Sequence, residues 1–257
     1  MNTPHSAERL TSAAQSRTVQ RYQVRLAQTH HDLAAAQALR FQVFNIELDE
    51  GLVDAYDNGL DADPFDAVCA HLIVEDELGM VVGTYRMQTG AQAATGLGYY
   101  SEREFDFSPF EDRRSKILEL GRACIHHQHR NFSVLNLLWK GIATYARDHG
   151  ARYLVGCSSL TSQDAAVGAT AFDQLQKHLA PANWGTSPQP GFACDLAIKS
   201  TQPVHIPRLL SAYLALGAGI CAAPAIDREF KTIDFLTWID VESPLVVAMQ
   251  RRGRFTI

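Results

Sequence analysis

The chain has 257 residues, 46% of them hydrophobic and 20% charged, which is globular composition with enough length for a sizeable core. A formal charge of −5 and a pI near 6.0 exclude a global attraction to nucleic acid or to an anionic membrane. The five cysteines are odd in number and contain no C-x-x-C pair, so they read as buried free thiols in a reducing compartment rather than as a disulfide framework.

Residues 1–21 are rich in Ser, Thr, Ala and Gln and lack the apolar run of a signal peptide. They read as the disordered tail of a cytoplasmic protein. Residues 21–27 alternate polar and apolar, as in a first strand. Thr29 followed by Asp32 marks a helix start, and Leu33, Ala36, Leu39 and Val43 supply its apolar face as far as about Phe44. A long acidic loop covers 45–67. Segments 70–75 and 81–88 predict a hairpin turning at Glu77-Leu78-Gly79. A second loop, 90–115, carries Tyr99, Tyr100, Phe105, Phe107 and Phe110. Then come a buried strand at 117–125, an amphipathic helix at 134–148 stopping at Gly150, a buried strand at 153–158 and a helix at 162–179. The apolar run 209–226 contains Gly217, Gly219 and Pro224, and predicts a short helix followed by extended chain rather than a membrane span. Residues 232–239 form a late strand. A hairpin followed by one strand–helix–strand crossover implies an α/β domain with a mixed sheet, over 22–257, with a C-terminal extension from about 203.

Chemistry concentrates in three places. Between residues 45 and 67 stand eight carboxylates (Glu47, Asp49, Glu50, Asp54, Asp57, Asp61, Asp63 and Asp66) with no Lys or Arg. Such a cluster favours a cation, either calcium or an amine substrate. The twelfth position counted from Asp54, Asp57 or Asp61 is Phe65, Val68 or Leu72, so EF-hand spacing fails. Most of the eight read as solvated, while Asp63 and Asp66, flanking Phe65, are expected to point inward. Second, Glu119 and Arg122 stand in an otherwise apolar strand. Three positions apart, they face opposite sides unless a bulge turns both one way. Buried charges need partners, so an ion pair is the plain alternative for both, and Arg86 poses the same question in the neighbouring strand. Third, His126-His127-Gln128-His129-Arg130-Asn131 precedes a helix N-terminus, which attracts anions, with Asn131 or Ser133 as its cap. His126 and His129 have no third ligand at metal spacing. Gly156-Cys157-Ser158-Ser159-Leu160 lacks the last glycine of a nucleophile elbow.

With these pieces in place, strand 117–125, helix 134–148 and strand 153–158 resemble the central motif of the GNAT acyltransferase fold. That fold is a mixed central sheet with splayed strands, flanked by helices, and the pantetheine arm of a thioester lies between the splayed strands. Ordinary acetyl-CoA members carry an Arg/Gln-x-x-Gly-x-Gly/Ala loop before the helix. Here His129-Arg130-Asn131-Phe132-Ser133-Val134-Leu135 has no glycine, which suits a carrier-protein donor better than CoA. Arg40 with Phe44, Asp63 with Asp66, Arg86, and Glu119 with Arg122, in that order, resemble the pattern of the acyl-homoserine-lactone synthases. The ornithine lipid N-acyltransferases share it and look closer still over most of 22–240. Residues 66–86, Tyr99-Tyr100-Ser101 through Phe105-Asp106, 118–122 and Pro224-Ala225-Ile226-Asp227 carry that likeness. Autoinducer synthases have a Trp soon after the Arg/Phe helix, where Asn45-Ile46-Glu47-Leu48 offers none.

The resemblance implies an L-ornithine N(alpha)-acyltransferase in which a neutral amine attacks the acyl thioester directly and yields lyso-ornithine lipid. It implies no cofactor beyond the acyl-phosphopantetheine of acyl carrier protein, and no metal. Glu119 and Arg122 are then the catalytic candidates, with Glu119 orienting the amine and accepting its proton. Arg40, Phe44, Asp63, Asp66 and Arg86 are the substrate-binding candidates. Ala123, Cys124, Ile125, Arg130 and Ser158 are those for acyl chain and pantetheine. The aromatic loop 99–110 and the segment 209–226 are expected to line an acyl tunnel. Arg113, Arg114, Lys116, Arg130 and Lys140 are expected to form the docking patch for acidic carrier protein. The partners are thus carrier protein and a small amino acid, not nucleic acid, with peripheral contact to the inner membrane left open. Three rival readings stand beside this one: an autoinducer synthase using S-adenosylmethionine, an N-acyl amino acid synthase with glycine, lysine or tyrosine as acceptor, and a GNAT-fold sensor without transfer activity.

Overall fold

A computed structural model describes residues 21–251, with side chains to 248. The tail expected over 1–21 lies, but for Arg21, outside the described residues. The helices and strands in chain order are β1 (Gln23–Leu26), α1 (His30–Phe41), β2 (Ala70–Glu75), β3 (Val81–Thr89), α2 (Gly90–Thr95), β4 (Ile117–Ile125), α3 (Phe132–Asp148), β5 (Tyr153–Leu160), α4 (Ala165–Leu175), α5 (Arg208–Ala215), β6 (Gly219–Ile220), β7 (Ala225–Asp227), β8 (Thr232–Asp240) and α6 (Pro244–Arg251). The strands form one mixed sheet in the order β1-β2-β3-β4-β5-β8-β6, with β7 also pairing β8. Every pairing is antiparallel except β4 with β5, which α3 connects.

Local chemistry accounts for the element ends. Thr29 caps α1 by accepting from the Asp32 amide at 3.1 Å, and α1 runs on through a π-helical turn, Gln42–Glu47. The β2–β3 hairpin turns on Asp76, whose Oδ1 accepts from the Leu78 and Met80 amides at 2.9 and 3.0 Å. Asn131 caps α3 through the Val134 amide at 3.1 Å. Val134, Leu138 and Ile142 of α3 are fully buried against Leu72, Val74, Val82 and Leu118 of the sheet. Each such side chain contributes roughly 1.5–3 kcal/mol. The opposite face, at the β5–β8 end, is covered by Tyr99, Phe105, Phe107, Phe110 and Trp184.

The β4–β5 pair positions the site. It is registered over only three residue pairs, Ile117–Tyr153, Leu118–Leu154 and Glu119–Val155, after which no further pairs form. At the point of parting, a Cβ on Gly156 would meet the Leu120 carbonyl oxygen at 2.1 Å, so only glycine permits this approach.

Three differences from the sequence reading have plain causes. The loops 45–67 and 90–115 contain 3-10 turns, and the second also contains α2, all too short for a periodic pattern to declare them. Asp164 caps α4, which spans Ala165–Leu175 rather than 162–179. The segment from about 203, expected as an extension, supplies β8, which pairs with β5 over eight residues inside the sheet. Among the described residues, no helix is long and apolar enough to cross a membrane.

Candidate active site

A cavity of about 330 Å³ passes through the gap between the splayed strands. On the α3 side its wall is apolar, made by Tyr85, Leu120, Trp139, Leu154, Tyr213 and Ile239. On the other side it is polar, lined by Glu50, Arg86, Glu119, Arg122, Asp227 and Asp234.

Glu119 is 6% exposed. Its Oε2 accepts from the Tyr100 amide at 2.9 Å and its Oε1 from the Ser101 amide at 2.8 Å. Burial pushes this carboxyl above its usual range, and the bonds to Ser101 and Tyr100 offset only part of that. Arg122 joins it through a bulge. Leu118, Leu120, Ala123 and Ile125 all pack on the α3 side, so one extra residue lies between 120 and 123. In register, Arg86 faces Gly121 and Thr84 faces Cys124, which leaves both Arg122 and Ala123 opposite Tyr85. Arg122 takes the left-handed φ of 48°, a conformation that costs a residue with a side chain roughly 1–2 kcal/mol. The guanidinium stacks over Phe230 at 4.4 Å and Tyr100 at 4.8 Å.

Six charges behind this wall form a closed ring. Arg40 binds Asp61 at 2.8 Å and Asp66 at 2.6 Å. Arg86 binds Asp66 at 2.9 Å and Asp63 at 2.6 Å. Arg122 binds Asp63 at 2.9 Å and closes the ring on Asp61 at 3.3 Å. Each arginine touches two aspartates and each aspartate two arginines. Burial alone would raise Asp63 and Asp66, but the neighbouring guanidinium groups outweigh it and hold both below the usual carboxylate range.

The facing wall is different. Among the described residues no ion pair forms at Glu50, Glu104, Asp227 or Asp234. Burial, opposed by the Thr161 hydroxyl and helped by Asp234, lifts Glu50 to about 7. Burial raises both Glu104 and Asp234; the charges of Asp234 and Asp227 add to the first and that of Asp227 to the second. One donor atom each from Glu104, Cys157 and Asp234 lie within 4.8 Å of one another.

These positions redistribute the residues expected from sequence. Glu119, Arg122, Phe44, Arg86, Ala123 and Ser158 meet in the cavity wall. Arg40, 1% exposed, is enclosed by its aspartates and does not reach the cavity, and Asp63 and Asp66 turn to arginines rather than to the cavity. Cys124 packs with Phe44 and Phe230, and Ile125 lies on the α3 side, so neither lines the cavity. Arg130 is exposed and paired with Glu47 at 2.5 Å. The expected basic patch does not converge. Arg113, Arg114 and Lys116 precede β4, at the strand end opposite Arg130, and Arg114 is already paired with Glu102 and Glu111. Tyr99, Phe105, Phe107 and Phe110 are core rather than tunnel, whereas Leu209, Leu210 and Tyr213 do line the cavity. The acidic loop is not free of counter-charge, because its partners come from α1, β3 and β4. Of its eight carboxylates only Glu50 lines the cavity. Asp234 is not among the residues expected from sequence, and Asp227 enters there only within Pro224-Ala225-Ile226-Asp227 and not as a site residue. A lone Asp in the apolar strand 232–239 is the same signal that marked Glu119.

Residues 39–140 match the family model for the acetyltransferase (GNAT) domain. The chain is 31% identical over 236 residues to the L-ornithine N(alpha)-acyltransferase of Rhodobacter capsulatus, covering 86% of this chain and 91% of the relative. It is 32% identical over 238 residues to that of Brucella abortus, covering 86% and 84%. Among solved structures, the N-acyl amino acid synthase FeeM from uncultured soil microbes superposes with a TM-score of 0.54 at 10% identity, over 88% of this chain and 93% of that one. The AHL synthase LasI does so with a TM-score of 0.51 at 14% identity, over 89% and 93%. The chain belongs to the L-ornithine N(alpha)-acyltransferase family and is an N-acyltransferase on the GNAT fold.

Proposed function

We propose that this enzyme moves a fatty acyl or 3-hydroxy fatty acyl group from the phosphopantetheine thioester of acyl carrier protein to the α-amine of ornithine, giving lyso-ornithine lipid. The carrying observation is Glu119, a buried carboxyl with a raised proton affinity, at the junction of an apolar and a polar half-cavity. In this reading the acyl chain occupies the half lined by Trp139, Leu154 and Tyr213. The thioester carbonyl lies at the gap beside Gly156. The neutral amine attacks that carbon, a C–N bond forms, and Glu119 takes the amine proton. As the C–S bond breaks, the proton passes to the departing thiolate. A base whose affinity is raised toward working pH is the more effective proton acceptor. Arg122 and Arg86 are the cations in the cavity wall and would orient the acceptor's carboxylate.

The donor assignment rests on the turn before α3. Its glycine-free sequence carries the Asn131 side chain, which occupies the Val134 amide that a CoA pyrophosphate would seek. No cofactor enters this scheme. The test is turnover of purified enzyme with acyl carrier protein or long-chain acyl-CoA as donor, and ornithine or S-adenosylmethionine as acceptor. Transfer from carrier protein to ornithine is expected, lost at least a hundredfold in Glu119→Gln with the unfolding midpoint retained. Equal or faster turnover from acyl-CoA overturns the donor, and an S-adenosylmethionine product overturns the acceptor.

A further inference from the structure

The acidic wall without ion pairs is built from residues far apart in sequence, and its members are not equally satisfied. Asp227 is fully engaged: Oδ1 accepts from the Glu229 and Phe230 amides at 2.8 Å each, and Oδ2 from the Tyr100 hydroxyl at 3.4 Å. Glu50 accepts from the Thr161 hydroxyl. Asp234 is 3% exposed and lines the cavity, yet its Oδ1 has no hydrogen-bond donor within geometric reach; its carboxyl meets the Thr232 hydroxyl at 3.3 Å, the Ser159 side chain and the neighbouring Glu104 carboxyl, and no cation. Glu104, 1% exposed, stands beside it, and its Oε1 is likewise without a donor. Buried acceptors of this kind are stabilised by a ligand that brings N–H donors and positive charge together.

Resting on the ornithine reading, we propose that Asp234 and Glu104, with Glu50 at their side, hold the side-chain ammonium of the acceptor and thereby select a diamino acid. An ammonium offers three N–H donors and no acceptor, which matches a group of carboxylates. Glu119, Glu50 and Asp234 line one cavity, and Glu104 stands beside Asp234. Ser101 donates its amide to Glu119 at 2.8 Å, and its Oγ meets Cys157 Sγ at 3.4 Å. Cys157 Sγ in turn lies 3.9 Å from Glu104 Oε2. A diamino acid can therefore place one nitrogen at Glu119 and the other at Asp234. A metal ion fits less well, because burial and the charges of Glu104 and Asp234 keep the Cys157 thiol protonated.

The groups facing the pair are Glu50, Asp227, Cys157 and Arg122. Burial and the neighbouring Asp227 carboxylate raise the proton affinity of both carboxyls. An incoming ammonium favours their ionised form, so ornithine binding is expected to release protons.

The deciding experiment compares L-ornithine with L-norvaline, the same side chain without its ammonium, on the full-length enzyme with acyl carrier protein as donor. Wild type is expected to favour ornithine about a hundredfold in kcat/KM. In Asp234→Asn and Glu104→Gln, ornithine turnover falls far more than norvaline turnover, and the ratio drops below about tenfold. Calorimetry in buffers of different ionisation enthalpy should show proton release with ornithine and none with norvaline. If Asp234→Asn does not fold, Glu50→Gln is judged by the same ratio. Variants that keep the full preference overturn the inference and leave the ornithine reading standing. A wild type that does not acylate ornithine overturns the reading itself. A preference abolished by EDTA assigns the group to a metal ion and overturns the proposal.

Discussion

Behind one part of the cavity wall Arg40, Arg86 and Arg122 alternate with Asp61, Asp63 and Asp66, while another part gathers Glu50, Asp227 and Asp234, with Glu104 beside them, and among the described residues no ion pair forms at any of these four. The first arrangement is closed, and every charge in it already has two partners. The second is open, and it is stabilised only by hydroxyls, amides and shared protons. Buried charge thus plays two parts in one fold. A closed ring is architecture, fixing the acidic loop to the sheet and holding Arg122 in its left-handed bulge. An open group is a demand for a cation. Charge density alone does not separate the two, whereas the partner list does.

Three measurements test that contrast. The largest effect is expected in the closed ring. Arg40→Met keeps the bulk but leaves Asp61 and Asp66 short of a cation, and should cost about 3–5 kcal/mol in denaturant unfolding. A loss below about 1 kcal/mol would mean the ring is not buried charge in any energetic sense. Opposite in sign, Asp234→Asn replaces a repelling carboxylate with an amide that can donate to Glu104. The ligand-free protein should melt about 3–5 °C higher. A lower melting temperature would place Asp234 among the architectural charges.

The smallest effect is a pH dependence at Glu50. Its folded affinity, about 7, exceeds the unfolded value of 4.5, so the folded chain keeps a proton that the unfolded chain has lost. Stability from this group is therefore full below about 4.5, declines as pH rises toward 7, and is level above. Glu50→Gln should flatten that decline in melting curves taken across the same range. An unchanged slope would show that Glu50 ionises as in solution.

Most of the sheet was legible because its cues are local: alternation in β1, the turn of the β2–β3 hairpin, the buried apolar runs of β4 and β5, the Thr29 and Asn131 caps, and glycines after α3 and α5. Of the ring members, Asp63, Asp66, Arg86 and Arg122 were marked as inward or in-strand charges and Arg40 entered with the family pattern, whereas Asp61 was read among the solvated acids and is fully buried. The closure was not legible, since a ring of pairs separated by 20 to 61 positions has no periodic signature. For the same reason the acidic loop looked unpaired. The bulge at Arg122 was conceivable but not readable, because Gly121 fits regular pairing equally well and the left-handed residue is Arg122 itself rather than the glycine. Asp234 shows the reverse case. Its strand was found from its apolar residues, and the one charged side chain within it passed as incidental.

The position of β8 also bears on how the protein acquires activity during synthesis. Chains fold from the N-terminal side as they are made, at about 5–20 residues per second. The hairpin of β2 and β3, β4 and α3 all precede residue 150 and can associate early. β5 remains an open edge until β8 arrives, because β8 is its antiparallel neighbour over eight residues. Glu119 can thus be seated on Tyr100 and Ser101 well before Asp227 and Asp234 exist. A ribosome-bound chain of intermediate length would carry that buried carboxyl and an unpaired sheet edge, with the open acidic wall still incomplete. That wall is the last part of the cavity to form, and an unfinished chain has most need of a chaperone at β5.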